Sequence, residues 1–279
     1  MRRSGRWLLV GLVAVAVSGC DEIRDNAEQH FDPDVAGVLT VATTLPAPGF
    51  WEGGDASSLD GGFEWEIANA LAERFDLGLD VVEVPFESIV SGDLGAADMA
   101  IAQISITDER SEVVAFSTSY YVTGAGVLGD ADGELLTDLK TAREQTWVIV
   151  EGTTEEAFVH DVIRPDRAPL VVEDDQAAAD AVAAAAVDVA LLDLSSALVL
   201  ANDDGQLAVL GRFETDQRYA IALPHGTGPD AGNRDSGNLA ATDAAIRALE
   251  ANGSLQRFAD DWLVPAYGAD VTEIPIIPT

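Results

Sequence analysis

The pattern of apolar and polar positions falls into short blocks that alternate between strand-like and helix-like periods. Gly37 to Thr44 carries Val38, Leu39, Val41 and Ala42 and predicts a strand. Leu45 to Gly62, rich in Pro and Gly, predicts a loop. Phe63, Ile67, Ala70, Leu71 and Phe75 share one helical face and predict a helix over Gly62 to Phe75. Leu79 to Val84 predicts a second strand, Phe86 to Leu94 a short helix or turn, and Asp98 to Gln103 a third strand. The near-continuous apolar run of that third strand suits a parallel sheet covered on both faces. Val113 to Tyr121 reads as irregular and Gly124 to Gly129 as extended.

The same rhythm then repeats. Thr146 to Glu151, Leu170 to Val172 and Val187 to Leu192 predict strands. Thr153 to Ile163 predicts a helix opening on a Thr153/Glu156 capping pattern. Asp175 to Ala186 predicts an alanine-rich helix with Asp175 as N-cap. Ser195 to Asn202 predicts a helix, Leu207 to Leu210 and Tyr219 to Leu223 strands, and His225 to Asn238 a glycine-rich loop. Leu239 to Asn252 and Leu255 to Leu263 predict two closing helices before a Pro-containing tail. Two successive strand–helix–strand sets predict an α/β protein with two lobes, each a mostly parallel sheet flanked by helices.

In open parallel sheets, ligands lie beyond the carboxyl ends of the strands. Ser105 and Arg110 fall there in the first set, and Thr153, Thr154 and Asp193 in the second. Thr107 is a good N-cap, but a cation three residues on is poorly placed against the positive end of a helix. Arg110 therefore has two readings: a surface arginine paired with Glu109 or Glu112, or a fork aimed at an anion beyond the strand. Asp193 likewise could serve a structural ion pair or face a ligand cation. Taken together the residues match a zwitterion, with Arg110 and Ser105 for a carboxylate and Asp193 for an ammonium.

Composition narrows the classes. The chain is 48% hydrophobic and 23% charged, as a globular protein should be. Forty-nine acidic residues against fifteen basic ones give a net charge of −34, which excludes nucleic-acid binding. Met1 to Arg6 is basic, and Trp7 to Val17 is an apolar run too short to span a membrane. The run ends in Val17-Ser18-Gly19-Cys20, which is similar to a bacterial lipoprotein signal with cleavage before Cys20. Residues 1–19 are thus expected to be a signal peptide, Cys20 a lipidation site that anchors the chain to the outer face of a membrane, and 20–36 a polar tether. Cys20 is the only cysteine, so no intrachain disulfide forms. His30, His160 and His225 lack metal-ligand spacing, the glycines after His225 do not space as a dinucleotide loop, and no nucleophile–base pair stands out. No cofactor or metal is expected.

From about Gly37 to Leu263 the chain resembles the polar amino-acid class of bacterial extracellular solute-binding proteins, family 3, the receptors of ABC importers. The resemblance rests on Gly62-Phe63-Glu64-Trp65-Glu66-Ile67-Ala68, on Ile104-Ser105-Ile106-Thr107-Asp108-Glu109-Arg110 with Phe116-Ser117 and Tyr120-Tyr121, on Glu151-Gly152-Thr153-Thr154, on Val187 to Asp193, on Tyr219 to Pro224, and on Asn252-Gly253-Ser254. It implies a type II periplasmic-binding-protein fold with two crossover strands as hinge, near Tyr120 to Gly126 and Thr215 to Tyr219. Lobe 1 would comprise 37–121 and 220–264, lobe 2 would comprise 122–219, and 265–279 would be a tail. It also implies an expected monomer that captures a polar amino acid and passes it to a membrane permease.

The resemblance implies that Arg110 grips the ligand carboxylate, Ser105 adds hydroxyl and backbone contacts, Gln103 contributes mainly backbone, and Thr153 and Thr154 hold the carboxylate from the second lobe. Asp193 would bind the amino group, Phe86 would wall the side-chain pocket, and Phe50 or Trp51 would supply the opposite wall. Trp51, beside Gly53-Gly54, reads as exposed or cleft-facing. Two positions depart from the family pattern. Thr44 stands where several members carry an acid, which argues against arginine or lysine as ligand, and Gln103 replaces a small residue. Two alternatives keep the fold and change the role: a dehydratase-like enzyme acting on a cyclic carboxylic acid, and a receptor reporting to a membrane sensor.

Overall fold

A computed structural model of the chain describes residues 30–279 except 204, 226–230 and 270. The leader, Cys20 and most of the expected tether lie outside the described residues. Among those described, no helix is long and apolar enough to cross a membrane.

Two five-stranded sheets carry the fold. The first is built from β1 (Val38–Thr43), β2 (Gly78–Glu83), β3 (Met99–Ala100) and β4 (Val114–Phe116), with α1 (Phe63–Phe75) and α2 (Phe86–Val90) between them. The chain then enters β5 (Tyr121–Asp130), α3 (Leu139–Glu144), β6 (Trp147–Val150), α4 (Thr154–Phe158), β7 (Leu170–Val172), α5 (Asp175–Ala183), β8 (Val189–Asp193), α6 (Leu194–Asp203) and β9 (Leu207–Tyr219). It returns through β10 (Ala222–Pro224), α7 (Ala231–Ala251) and α8 (Ser254–Tyr267). Strand orders are β2-β1-β3-β10-β4 and β7-β6-β8-β5-β9. β1 runs parallel to β2 and β3, and β6 parallel to β7 and β8, so the carboxyl ends of six strands are grouped in two sets of three.

β5 and β9 pair antiparallel from Tyr121↔Tyr219 onward. A register shift between Thr123 and Ala125 sets Gly124 against an outward fold of β9 that includes Asp216 at a left-handed φ of 50°. Both segments that pass between the sheets meet there. The predicted strand over Leu207 to Leu210 is in fact the first third of a 13-residue strand. Its alternation is obscured by Arg212, Glu214, Asp216 and Arg218, which the edge position leaves partly or fully exposed. Similarly, α7 begins at Ala231, inside the expected glycine-rich loop.

Both ends of the described region are packed against the sheets. Phe31, inside the expected tether, is buried and stacks on Phe75 at 4.9 Å. Asp32 N–H donates to Asn238 Oδ1 at 2.8 Å, and the Asn238 amide returns a bond to the Asp32 carbonyl. The expected tail is no free tail either: α8 continues to Tyr267, and Ile277 is 1% exposed within the core of the second sheet. Arg212 N–H donates to the Pro275 carbonyl and Ile277 N–H to the Arg212 carbonyl, at 2.9 and 2.8 Å. The last residues thereby form a third passage of chain, from a helix packed on the first sheet to the second sheet.

Candidate functional site

A cavity of about 100 Å³ lies where the two sets of strand ends face each other. From the first sheet come Thr44 after β1, Phe86 after β2, and Ala102 and Gln103 after β3. From the second come Val150 and Thr153 after β6, the Glu173-Asp174-Asp175 run after β7, and Asp193 at the end of β8. Ser196, in the first turn of α6, closes the gap: its hydroxyl is 3.3 Å from Gln103 Oε1 across the cleft. Thr44, Phe86, Gln103, Thr153 and Asp193 are thus brought to one cavity from five separate stretches.

Arg110 lies beside this cavity, 7% exposed. It opens a single 3-10 turn, Arg110–Glu112, in place of the expected α-helix, and its backbone N–H donates to Thr107 Oγ1 at 3.1 Å. Its guanidinium carbon sits 5.3 Å from the centre of the Phe86 ring, a cation–π arrangement that fixes the plane of the fork. Nη1 donates to the Ser105 carbonyl and Nη2 crosses to the Gly152 carbonyl of the second sheet, both at 2.9 Å. Two of its five N–H donors are therefore used. The surface reading, with Glu109 or Glu112 as partner, does not describe this residue, which is buried and bonds to two carbonyls.

Ser105 pairs with Tyr219 by a β-bridge, and its hydroxyl is 3.5 Å from Gln217 Oε1. Thr153 caps α4, accepting from Glu156 N–H at 3.2 Å while donating to the Val150 carbonyl at 2.8 Å. Glu156 reciprocates on Gly152 N–H, one residue earlier than a capping box requires. The Thr154 hydroxyl donates to Glu155 Oε2 at 3.0 Å.

Phe50 and Trp51 depart from expectation. Trp51 is 2% exposed, and its indole N–H donates to Glu64 Oε2 at 2.7 Å and to the Ile101 carbonyl at 3.2 Å. Phe50 is buried against the rings of Phe63, Tyr121 and Tyr219. Neither lines the cavity. The physical reason lies at Gly62, whose φ of +111° and missing side chain let the Phe50–Trp51 backbone rest directly on the start of α1. Likewise Asp174, not Asp175, caps α5, which frees the Asp175 carboxyl to face the cavity.

The electrostatics are lopsided. Glu155, 3% exposed, takes a hydrogen bond from the Gln217 amide and faces Arg110. Burial pushes its carboxyl up, opposed by the Gln217 and Thr154 bonds and by Arg110. Burial, and then the Glu155 charge, hold Asp193 well above the usual carboxylate range, while Tyr219 and Arg110 oppose this. Burial also raises Asp175 to about 6. Arg110 is lowered by burial, countered by Glu155 and Asp193. One guanidinium thus faces two buried carboxyl groups, Glu155 and Asp193, with Glu109 a weaker influence. Among the described residues, Asp193 Oδ1 and the Tyr219 hydroxyl are buried polar atoms with no well-formed hydrogen bond. Such an orphan is costly unless something else satisfies it. Glu155, Gln217 and Tyr219 were not singled out from the sequence as site residues. Glu155 reads there as an ordinary first-turn acid, and Gln217 and Tyr219 reach the cleft only because β9 runs through the crossing point.

A search of known proteins returns consistent relatives. The chain is 28% identical over 277 residues to the L-cystine-binding protein TcyJ of Escherichia coli (strain K12), covering 96% of this chain and 98% of that protein. An amino acid ABC transporter substrate-binding protein from Streptococcus pneumoniae, solved bound to L-arginine, superposes with a TM-score of 0.70 at 26% identity, over 83% of this chain and 94% of that one. The ancestral amino acid-binding protein AncCDT-1, a precursor of cyclohexadienyl dehydratase, shares the fold with a TM-score of 0.69 at 20% identity, over 81% and 95% of the two chains. Residues 39–265 match the profile of bacterial extracellular solute-binding proteins, family 3, and the chain belongs to that family.

Proposed function

We propose that this protein is the substrate-binding component of an amino-acid ABC importer, holding one polar amino acid between its lobes and presenting it to a membrane permease. The observation that carries this reading is the buried, unpartnered Oδ1 of Asp193 in a cavity whose other side is flanked by Arg110. An α-ammonium would satisfy Asp193 and offset the acidic excess there. An α-carboxylate would take donors that Arg110 keeps free. Ser105, Thr153 and Thr154 act around that carboxylate, and Phe86 walls the side chain. Thr44 and Gln103 border the pocket beyond. The acids of the opposite wall, Glu173 to Asp175, favour a side chain with a positive group. That property is common to arginine and to the second ammonium of cystine, and it offsets the missing acid at Thr44.

Lobe closure about the β5–β9 crossing would bury the ligand. Signal cleavage before Cys20 and lipid on its sulfur would keep the receptor at the outer face of the membrane, within reach of the permease. The protein acts by binding, without catalysis: an amine-free cyclic acid would leave Asp193 without a cationic partner, which counts against the dehydratase reading.

A thermal-shift screen of the twenty amino acids and cystine, with 2-hydroxy acids as controls, tests the proposal. A ligand that binds only the folded state stabilises it by RT ln(1 + [L]/Kd), which raises the melting temperature. At least one amino acid should do so while its 2-hydroxy counterpart does not, and Arg110→Ala should remove the shift. A shift that survives intact in Arg110→Ala sinks the site, and no shift with any amino acid sinks the function.

A further inference from the structure

The cavity floor rests on a group that does not touch the cavity. Glu64, in the first turn of α1, is 0% exposed. Its carboxylate collects three donors from three separate stretches. Oε2 accepts from the Trp51 indole, and Oε1 accepts from Gln103 N–H at 2.8 Å and from the Tyr120 hydroxyl. Trp51 belongs to the loop after β1, Gln103 follows β3, and Tyr120 leads into the first crossing strand.

Gln103 has a φ of 53°, a left-handed conformation disfavoured for a residue with a side chain. A backbone turned that way needs support from elsewhere. The Glu64 carboxylate provides it by holding the Gln103 N–H. The turn has two consequences within the site. It sends the Gln103 side chain to the cavity wall, with its Oε1 near Ser196 of the other sheet. It also aims the chain that follows, through the Ser105 carbonyl, at the Arg110 guanidinium. The three bonds oppose the rise that burial imposes on the Glu64 carboxyl, which still reaches about 7.

We propose that Glu64 is the positioning residue of the ligand site, acting through the Gln103 backbone on where Gln103, Ser105 and Arg110 stand. It rests on the amino-acid-receptor reading for its functional consequence, but the Glu64–Gln103 link itself can be measured without a ligand.

Three variants test it: Glu64→Leu, which removes both acceptors, Glu64→Gln, which keeps one, and Tyr120→Phe, which removes a different donor from the same oxygen. The probes are L-arginine and L-cystine, titrated by calorimetry, together with hydrogen exchange at the Gln103 amide. Glu64→Leu should weaken binding of the probe at least tenfold and speed Gln103 exchange at least tenfold. Glu64→Gln should recover part of both losses, and Tyr120→Phe should change affinity less than threefold. In a Gln103→Gly background, where φ of 53° needs no support, Glu64→Leu should cost less than threefold in affinity. A folded Glu64→Leu that binds within threefold of wild type overturns the proposal, as does an undiminished loss in the Gln103→Gly background. If Glu64→Leu does not fold, unchanged Gln103 exchange in Glu64→Gln overturns it. If wild type binds neither probe, that bears on the receptor reading, and Gln103 exchange still decides the Glu64–Gln103 link.

Discussion

Glu64, in the helix α1 packed on the first sheet, and Asp193, at the end of β8 in the second, are both buried carboxyl groups, and the structure treats them in opposite ways. Glu64 is surrounded by donors from three segments, among them a backbone N–H and an indole N–H. Asp193 keeps one oxygen buried without a partner, with Glu155 and Asp175 close enough to raise it further. A carboxylate with its donors in place is a structural fixture, because removing it strands those donors. A carboxyl group with an unpartnered buried oxygen is better suited to meet a cation. The contrast separates the part of the site that shapes the pocket from the part that waits for the ligand.

The sharpest way to break this comparison is Asp193→Ala. Loss of a buried charge partner should cost about 2–5 kcal/mol of amino-acid affinity, while the ligand-free protein should melt no lower than wild type. A lower melting temperature measured by calorimetry would mean that Asp193 is structural after all. Ile277→Ala addresses stability alone. It should cost about 2–5 kcal/mol on denaturant unfolding, as truncation of a buried isoleucine does, and it should raise exchange in the second sheet before the first. Uniform loss across both sheets would show that the C-terminal passage does not belong to one of them.

Glu64→Gln should cost about 1–3 kcal/mol of stability, the penalty for opposing donors in a buried site, measured by denaturant unfolding without ligand. A neutral result would place Glu64 in the same class as Asp193. The pH profile tests the same buried carboxyl groups from another side. Glu64 rises from its ordinary 4.5 to about 7 and Asp175 from 3.8 to about 6, so the folded state holds their protons more tightly than the unfolded state. Their contribution is full below about pH 4 and is lost as the pH rises through 6 and then 7, by at most about 1.4 kcal/mol per pH unit for each group. Glu64→Gln should flatten the upper part of that decline in thermal melts. An unchanged slope between pH 5 and 7 in that variant would contradict the assignment.

Much of the site is legible because the strand–helix rhythm points the carboxyl ends of the parallel strands toward the same cleft. Asp193 follows a run of apolar residues that had to be a buried strand, and Arg110 was conspicuous as a cation with poor local support. The misreadings share a cause. Trp51 sits beside Gly53 and Gly54 and reads as exposed, yet Gly62 lets its loop lie flat on the start of α1. Asp175 looked like a cap, but Asp174 takes that bond one residue earlier. Phe31 and Ile277 are buried without a sequence signal, since single apolar residues in polar, Pro-containing stretches carry no periodicity.

The sequence by itself determined the alternation of strands and helices, the strand ends that hold Arg110 and Asp193, and the acidic surface, since each depends on local spacing or on counting. Only the tertiary structure decided which carboxyl groups have donors and which do not. That balance depends on N–H and O–H groups arriving from residues as distant as Trp51 and Tyr120 at Glu64, or Gln217 at Glu155. No local pattern records such arrivals. The role of a buried acid is set by what the rest of the chain brings to it.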